Sequence, residues 1–304
     1  MLARAIALLL LITLAGCDMA PEIDCDLLKI TEMPLEVEDH LLVVPVGING
    51  HWVRLIVDTG AERTTISQAA ADHLGLPHDP RYVNRSVGIG GTTTTTDVTV
   101  DRLVLGTVHF PVSRIGVGTF RLQTARGLDA DGLLGADILL AFDMDIDVAG
   151  GKLTLYRSRI CPHPKPPWPV PAIEIAGVRD RKDRLLLPFK LDNVPGMAIL
   201  DTGAQGNVLG VEMARRMGLT EQAMADDPPV RQRGTGPSET IARLHRFKLL
   251  LIGPVAVEAP VLTVLNTDFG IGDAIISEEF LEGRRLWLSF RNRQVFISRR
   301  QSEQ

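Results

Sequence analysis

Aromatic residues are scarce in this 304-residue chain, at 5%, and there are only three cysteines. Three thiols cannot furnish a four-cysteine metal cluster. The seven histidines form no His-Glu-x-x-His pair, and His73 and His78 stand five apart with a helix stop, Gly75, between them. A zinc-protease helix is therefore excluded, and no metal is expected. No Gly-x-Ser-x-Gly elbow occurs, which removes the serine nucleophile of the hydrolase type. Gly116-Val117-Gly118 lacks the third glycine of a dinucleotide loop, so no cofactor is expected. Positive charge is not in excess: 32 Lys and Arg face 37 Asp and Glu, for a net charge of -5. Such a balance lacks the electrostatic footprint of a nucleic-acid binder.

Turn-forming residues, by contrast, are plentiful. There are 28 glycines and 19 prolines, and 45% of residues are hydrophobic, many in β-branched runs. This predicts a mostly β protein with short helices, long enough for two domains. Trp52, Trp168 and Trp287 are expected as packing residues.

The N-terminus reads as a targeting segment. Arg4 supplies a positive start, and Ala5 to Ala15 is apolar but too short for a membrane span. Leu14-Ala15-Gly16-Cys17 resembles a bacterial lipoprotein box, cut before a cysteine whose sulfur carries diacylglycerol. The expectation is a signal peptide over 1–17 and a tether over 18–39. Cys17 would hold the chain to the bacterial membrane on the periplasmic side, with Asp18 favouring the inner membrane. Two thiols then remain, Cys25 and Cys161. In an oxidising compartment they either pair, tying the tether to the middle of the chain, or stay free.

The remainder is an internal repeat with an offset of 143 residues. Without a gap, Pro45 falls on Pro188, Ile56 on Ile199 and Asp58-Thr59-Gly60-Ala61 on Asp201-Thr202-Gly203-Ala204. Ala71, Gly75 and Leu76 fall on Ala214, Gly218 and Leu219. Each copy predicts a hairpin, the motif, a short helix stopped by glycine, further hairpins, and a closing helix and strand pair. The first unit spans 40–158 and the second 173–300. The proline-rich segment 159–172 between them cannot join a ladder and reads as a semi-rigid spacer.

The repeated motif carries chemistry. Two carboxyls about one water cannot both ionise, so Asp58 and Asp201 would hold one proton between them. One takes a proton from water and the other gives one to a carbonyl oxygen. Thr59 and Thr202 are placed to lock the loops by hydrogen bonds. Gly60 and Gly203 permit close backbone approach, and Ala61 and Ala204 leave room beside the pair.

On these residues the sequence resembles the retropepsin–pepsin superfamily of aspartic peptidases, in particular its bacterial retropepsin-like members. The resemblance implies an all-β, bilobal, pseudo-twofold fold and an endopeptidase acting on peptides or proteins, active as a monomer. It also implies two apolar residues and a glycine behind each loop. Leu133-Leu134-Gly135 fits this, whereas Ile275-Ile276-Ser277 carries serine where glycine is expected. Ser277 could perturb the loop under Asp201, and the alternative reading is a weak or inactive peptide-binding lipoprotein on the same scaffold. Flaps over the substrate are implied at Gly88, Ile89, Gly90 and Gly91, and at Gly234 and Gly236.

Overall fold

The computed structural model describes residues 26–299, apart from 112–113, 119–121, 124–128, 160–162, 269, 271 and 282. The expected leader and Cys17, Cys25 and Cys161 lie outside the described residues.

Strands dominate, and the two halves build one sheet each with matching strand order. In the first, a hairpin of Leu41–Ile48 and His51–Val57 turns at Asn49 and Gly50, with φ of 50° and 89°. In the second, Leu185–Leu191 and Val194–Leu200 turn at Asp192 and Asn193, with φ of 47° and 69°. Two positive φ values in a two-residue loop suit the twist of an antiparallel pair. Both turns also dock the next hairpin. Asn49 Oδ1 accepts the N–H groups of Asp101 and Arg102, and Asp192 Oδ1 those of Lys248 and Leu249.

These hairpin strands read as almost continuous apolar runs because both faces are covered. Along the first hairpin, Leu42, Val44, Leu55 and Val57 enter the main core. Leu41, Val43 and Ile56 point the other way, into a small cluster with Leu133 and Ala130. The second half repeats the alternation: Leu187, Ala198 and Leu200 enter the main core, and Ile199 and Ile275 a second small cluster. A period of two thus puts each motif between a deep core and a shallow apolar floor.

The halves are joined by a six-stranded sheet of their closing strands. At its centre Asp143–Asp147 pairs antiparallel with Arg285–Ser289, and Asp145 lies opposite Trp287. Arg285 forms a two-pronged ion pair with buried Asp145, at 2.8 and 2.7 Å. The proline-rich segment is anchored here, since Trp168 Nε1 donates to Asp145 Oδ1 at 3.1 Å. Arg285 also lies 5.5 Å from the Trp168 ring centroid.

Two expectations need correction. The segment 18–39 is not simply a tether, because Asp26–Pro34 is an edge strand of the six-stranded sheet, paired with Lys152–Arg159. Glu36–Glu38 pairs with Leu41–Ile48. Asp26–Pro34 is the counterpart of Ala172–Ala176 at the other edge, so the repeat begins earlier than the motif spacing indicated. Trp52 is not a packing residue either: it is 66% exposed on the first hairpin. Trp287, by contrast, is fully buried.

Candidate active site

Each aspartate ends a buried strand and is held from behind. Leu133-Leu134 runs parallel to Ile56-Val57, and Ile275-Ile276 parallel to Ile199-Leu200. The Asp58 N–H donates to the Leu134 carbonyl at 3.0 Å, and the Asp201 N–H to the Ile276 carbonyl at 2.9 Å. The two loops then grip each other. The Thr59 N–H donates to the Thr202 hydroxyl at 3.2 Å, and the Thr202 N–H to the Thr59 hydroxyl at 3.1 Å. Each hydroxyl in turn donates to the other half: Thr59 to the Leu200 carbonyl, Thr202 to the Val57 carbonyl. Both threonines are fully buried.

This grip brings Asp58 and Asp201 together. A β-carbon on Gly60 would lie 2.4 Å from the Asp201 carboxyl carbon, and one on Gly203 2.4 Å from that of Asp58. Any side chain there would displace the opposing carboxyl. Gly60 and Ala61 donate backbone N–H groups to Asp58 Oδ1 at 2.9 and 2.8 Å. Gly203 donates to Asp201 Oδ1 at 2.9 Å.

Burial pushes the Asp58 carboxyl well above its ordinary value near 3.8, and the adjacent Asp201 charge pushes the same way. The N–H groups of Ala61 and Gly60 oppose that rise. Asp201 is raised too, chiefly by burial, against the Gly203 N–H, the hydrogen bond with Asp58 and the Arg184 charge. Two carboxyls so placed retain a proton into a range where a free aspartate has lost it.

Behind the dyad the halves reach the same end differently. Gly135 packs against the backbone of the motif loop, and a β-carbon there would lie 2.4 Å from the Arg63 carbonyl carbon. Its N–H donates to the Thr64 hydroxyl, which donates to Asp137. In the second half Arg63 is replaced by Gly206 and Thr64 by Asn207. The Ser277 N–H donates to Asn207 Oδ1 at 3.0 Å, and the serine hydroxyl accepts the Glu279 N–H at 3.2 Å. Ser277 is therefore accommodated, and the backbone bond to Asp201 matches that to Asp58.

The expected flap residues converge from both halves. His78–Gly88 and Gly91–Thr99 form one hairpin, tipped by Ile89 and Gly90. Pro229–Gln232 and Thr240–Arg246 form the other. The Gly236 N–H donates to the Ile89 carbonyl at 3.0 Å, and the Ser238 N–H to the Gly90 carbonyl at 3.1 Å. A β-carbon on Gly236 would lie 2.2 Å from the Gly90 carbonyl carbon, and one on Gly88 2.2 Å from the Thr235 hydroxyl. Gly91 faces Pro237, and Gly234 faces Ile89. Ile89 packs on the second shallow cluster together with Ala204. Ala61 takes the equivalent place on the first.

Charged partners around the loops escaped the sequence reading. Arg63 forms a two-pronged ion pair with buried Asp97 on the hairpin of His78–Gly88 and Gly91–Thr99, its closer bond 2.8 Å. Lys182 of the second half pairs with Glu62 of the first at 2.8 Å. A signal existed: Glu62 and Arg63 fall on Gln205 and Gly206, so charge there breaks the repeat. Among the described residues no cluster of three His, Cys, Asp or Glu side chains could hold a metal ion.

Comparison with known proteins agrees with this geometry. A family model described as aspartyl protease matches residues 44–138 and 187–279, together more than half of the chain. The chain is 32% identical over 125 residues to the UBA domain-containing protein Mud1 of Schizosaccharomyces pombe, covering 40% of this chain and 35% of that one. It is 28% identical over 118 residues to DNA damage-inducible protein 1 of Chaetomium globosum, covering 38% of this chain and 25% of that one. The match thus spans about a third or less of these curated relatives. The crystal structure of an aspartic proteinase from Irpex lacteus aligns over 89% of this chain and 97% of that one. Its TM-score is 0.53 at 14% identity, a likeness of fold.

Proposed function

The chain belongs to the aspartyl protease family, and on that premise we propose that it is an endopeptidase working through the Asp58–Asp201 dyad. One observation carries the reading: Gly60 seats the Asp201 carboxyl and Gly203 seats that of Asp58, so both acids meet at one point. A water held between them loses a proton to the ionised carboxylate as its oxygen attacks the peptide carbonyl carbon. The protonated carboxyl gives its proton to the carbonyl oxygen, making a tetrahedral diol. Collapse of the diol returns that proton to the dyad, protonates the amide nitrogen and breaks the carbon–nitrogen bond. The dyad ends with one proton, as it began.

An extended peptide would lie beneath the joined flaps, with side chains on the two shallow apolar floors. Both halves come from one chain, so a monomer would suffice. The alternative is a weak or inactive peptide-binding lipoprotein on the same scaffold; Ser277 is the residue that favours it, and the bond from the Asp201 N–H to the Ile276 carbonyl weighs for the enzyme. On the leader pattern alone we place the enzyme on the periplasmic side of the membrane, anchored through Cys17. The test is digestion of a peptide library from acidic to neutral pH, with and without pepstatin. Pepstatin-sensitive cleavage supports the enzyme; binding without cleavage at any pH supports the alternative.

A further inference from the structure

Arg184 occupies a place that the twofold repeat gives to a leucine in the other half. The ladder that carries Asp201 pairs Leu186 with Ile199. The ladder ends there; Arg184 stands two residues before Leu186 and Asp201 two after Ile199, so both lie at the same end of the hairpin. In the first half Val43 pairs with Ile56, and Leu41, 5% exposed, holds the same place relative to Asp58. The second motif therefore has an arginine at the strand end beside it where the first has a leucine, and the Arg184 charge pulls the Asp201 carboxyl down.

The guanidinium is held in place. Arg184 Nε donates to Asp180 Oδ2 at 2.8 Å, and both side chains are less than one-fifth exposed. The other Asp180 oxygen accepts the N–H groups of Lys182 and Arg184, at 2.8 and 3.0 Å, which closes the turn. That turn is braced across the halves by Lys182 on Glu62, four residues past Asp58. Behind the loop, Glu278 lies 3.4 Å from His40, and Glu279 accepts a hydrogen bond from Asn207.

We propose that Arg184 is a positioning residue that breaks the symmetry of the dyad, keeping the negative charge on Asp201. Asp201 is then the base that takes the proton of water, and Asp58 the acid that protonates the carbonyl oxygen. A guanidinium stays charged throughout the working range, so its field does not fade with pH. The roles rest on the peptidase reading; the charge placement does not.

The experiment is a pH titration of the full chain carrying ¹³C-carboxyl aspartate, with dyad signals assigned through Asp58→Asn and Asp201→Asn. The variants are Arg184→Gln, Arg184→Lys and the neutral pair Asp180→Asn/Arg184→Gln, which keeps the turn polar if the single change unfolds the chain. Loss of the charge should raise the first deprotonation of the dyad by on the order of one pH unit. The acidic limb of kcat/KM should move with it, and Arg184→Lys should move both much less. An unchanged first deprotonation in folded Arg184→Gln, or in the paired variant measured against Asp180→Asn alone, overturns the proposal. So does an activity loss with unmoved limbs, which a merely structural role would produce. A shifted titration without cleavage at any pH would uphold the charge placement and sink the peptidase reading alone.

Discussion

Thr59 and Thr202 each accept the other's backbone N–H through a side-chain hydroxyl, at 3.1 and 3.2 Å, in a fully buried crossing beneath the dyad. Thr202→Ala removes the acceptor for Thr59 and the donor to Val57. A buried donor left without a partner costs about 1–3 kcal/mol, so the total loss should be about 2–4 kcal/mol. Thr202→Ser keeps both bonds and should recover most of the stability. Urea unfolding of the three proteins checks this, and equal loss in alanine and serine variants would contradict it.

Gly135 and Ser277 are equivalent in the repeat but should not be interchangeable. Ser277→Gly loses the cap on the Glu279 N–H and the long hydroxyl bond to Asn207 Oδ1, and should cost about 0.5–1 kcal/mol without raising activity. Gly135→Ser drives a β-carbon against the Arg63 backbone and should lower stability by several times more, with loss of cleavage. Thermal unfolding of the two variants separates them. Similar losses would mean that the second half does not compensate for its serine.

The raised Asp58 carboxyl makes stability depend on pH. Its unfolded form ionises near 3.8, while the folded form keeps its proton to higher pH. Between those two values the folded state binds more protons, so stability falls as pH rises through that window and stays lower above it. Asparagine cannot ionise. Asp58→Asn should therefore unfold about 2–4 °C higher than the parent at neutral pH, for each kcal/mol relieved. The gain should fade below 3.8. Calorimetry across that range checks it, and a gain independent of pH would contradict the cause.

The flap junction leaves no space for a methyl group at Gly236, whose neighbours are the Gly90 and Gly91 backbones. Gly236→Ala should hold the tips apart, raising KM with little change in melting temperature, because none of the junction residues belongs to the main core. Steady-state kinetics on one peptide checks this; an unchanged KM would mean that the tips part freely before binding.

What could be read beforehand was whatever local residues specify. The hairpins turn at Asn49-Gly50 and Asp192-Asn193 because those residues tolerate positive φ. The doubled motif and its apolar strands located the dyad. The rest depended on pairing distant in sequence. Asp26–Pro34 mixes polar and apolar residues without clean alternation and is mostly exposed, and its partner Lys152–Arg159 lies more than a hundred residues away. Nothing local separates such a strand from a tether. The Thr59–Thr202 grip was foreseeable only in outline, since it needs the halves docked. Arg184 needed the register itself, because only the pairing of Leu186 with Ile199 brings it to the same hairpin end as Asp201. Ser277 was readable as a departure, but its compensation by Asn207 required the loop geometry.

Two carboxyls acting as one unit are the centre of the proposed mechanism, and the most direct measurement is peptide cleavage by Asp58→Asn and Asp201→Asn side by side with the parent. Both variants should be folded, with melting temperatures no lower than the parent at neutral pH, and both should fall to the background rate across all pH. Full activity retained in either folded variant would contradict the dyad.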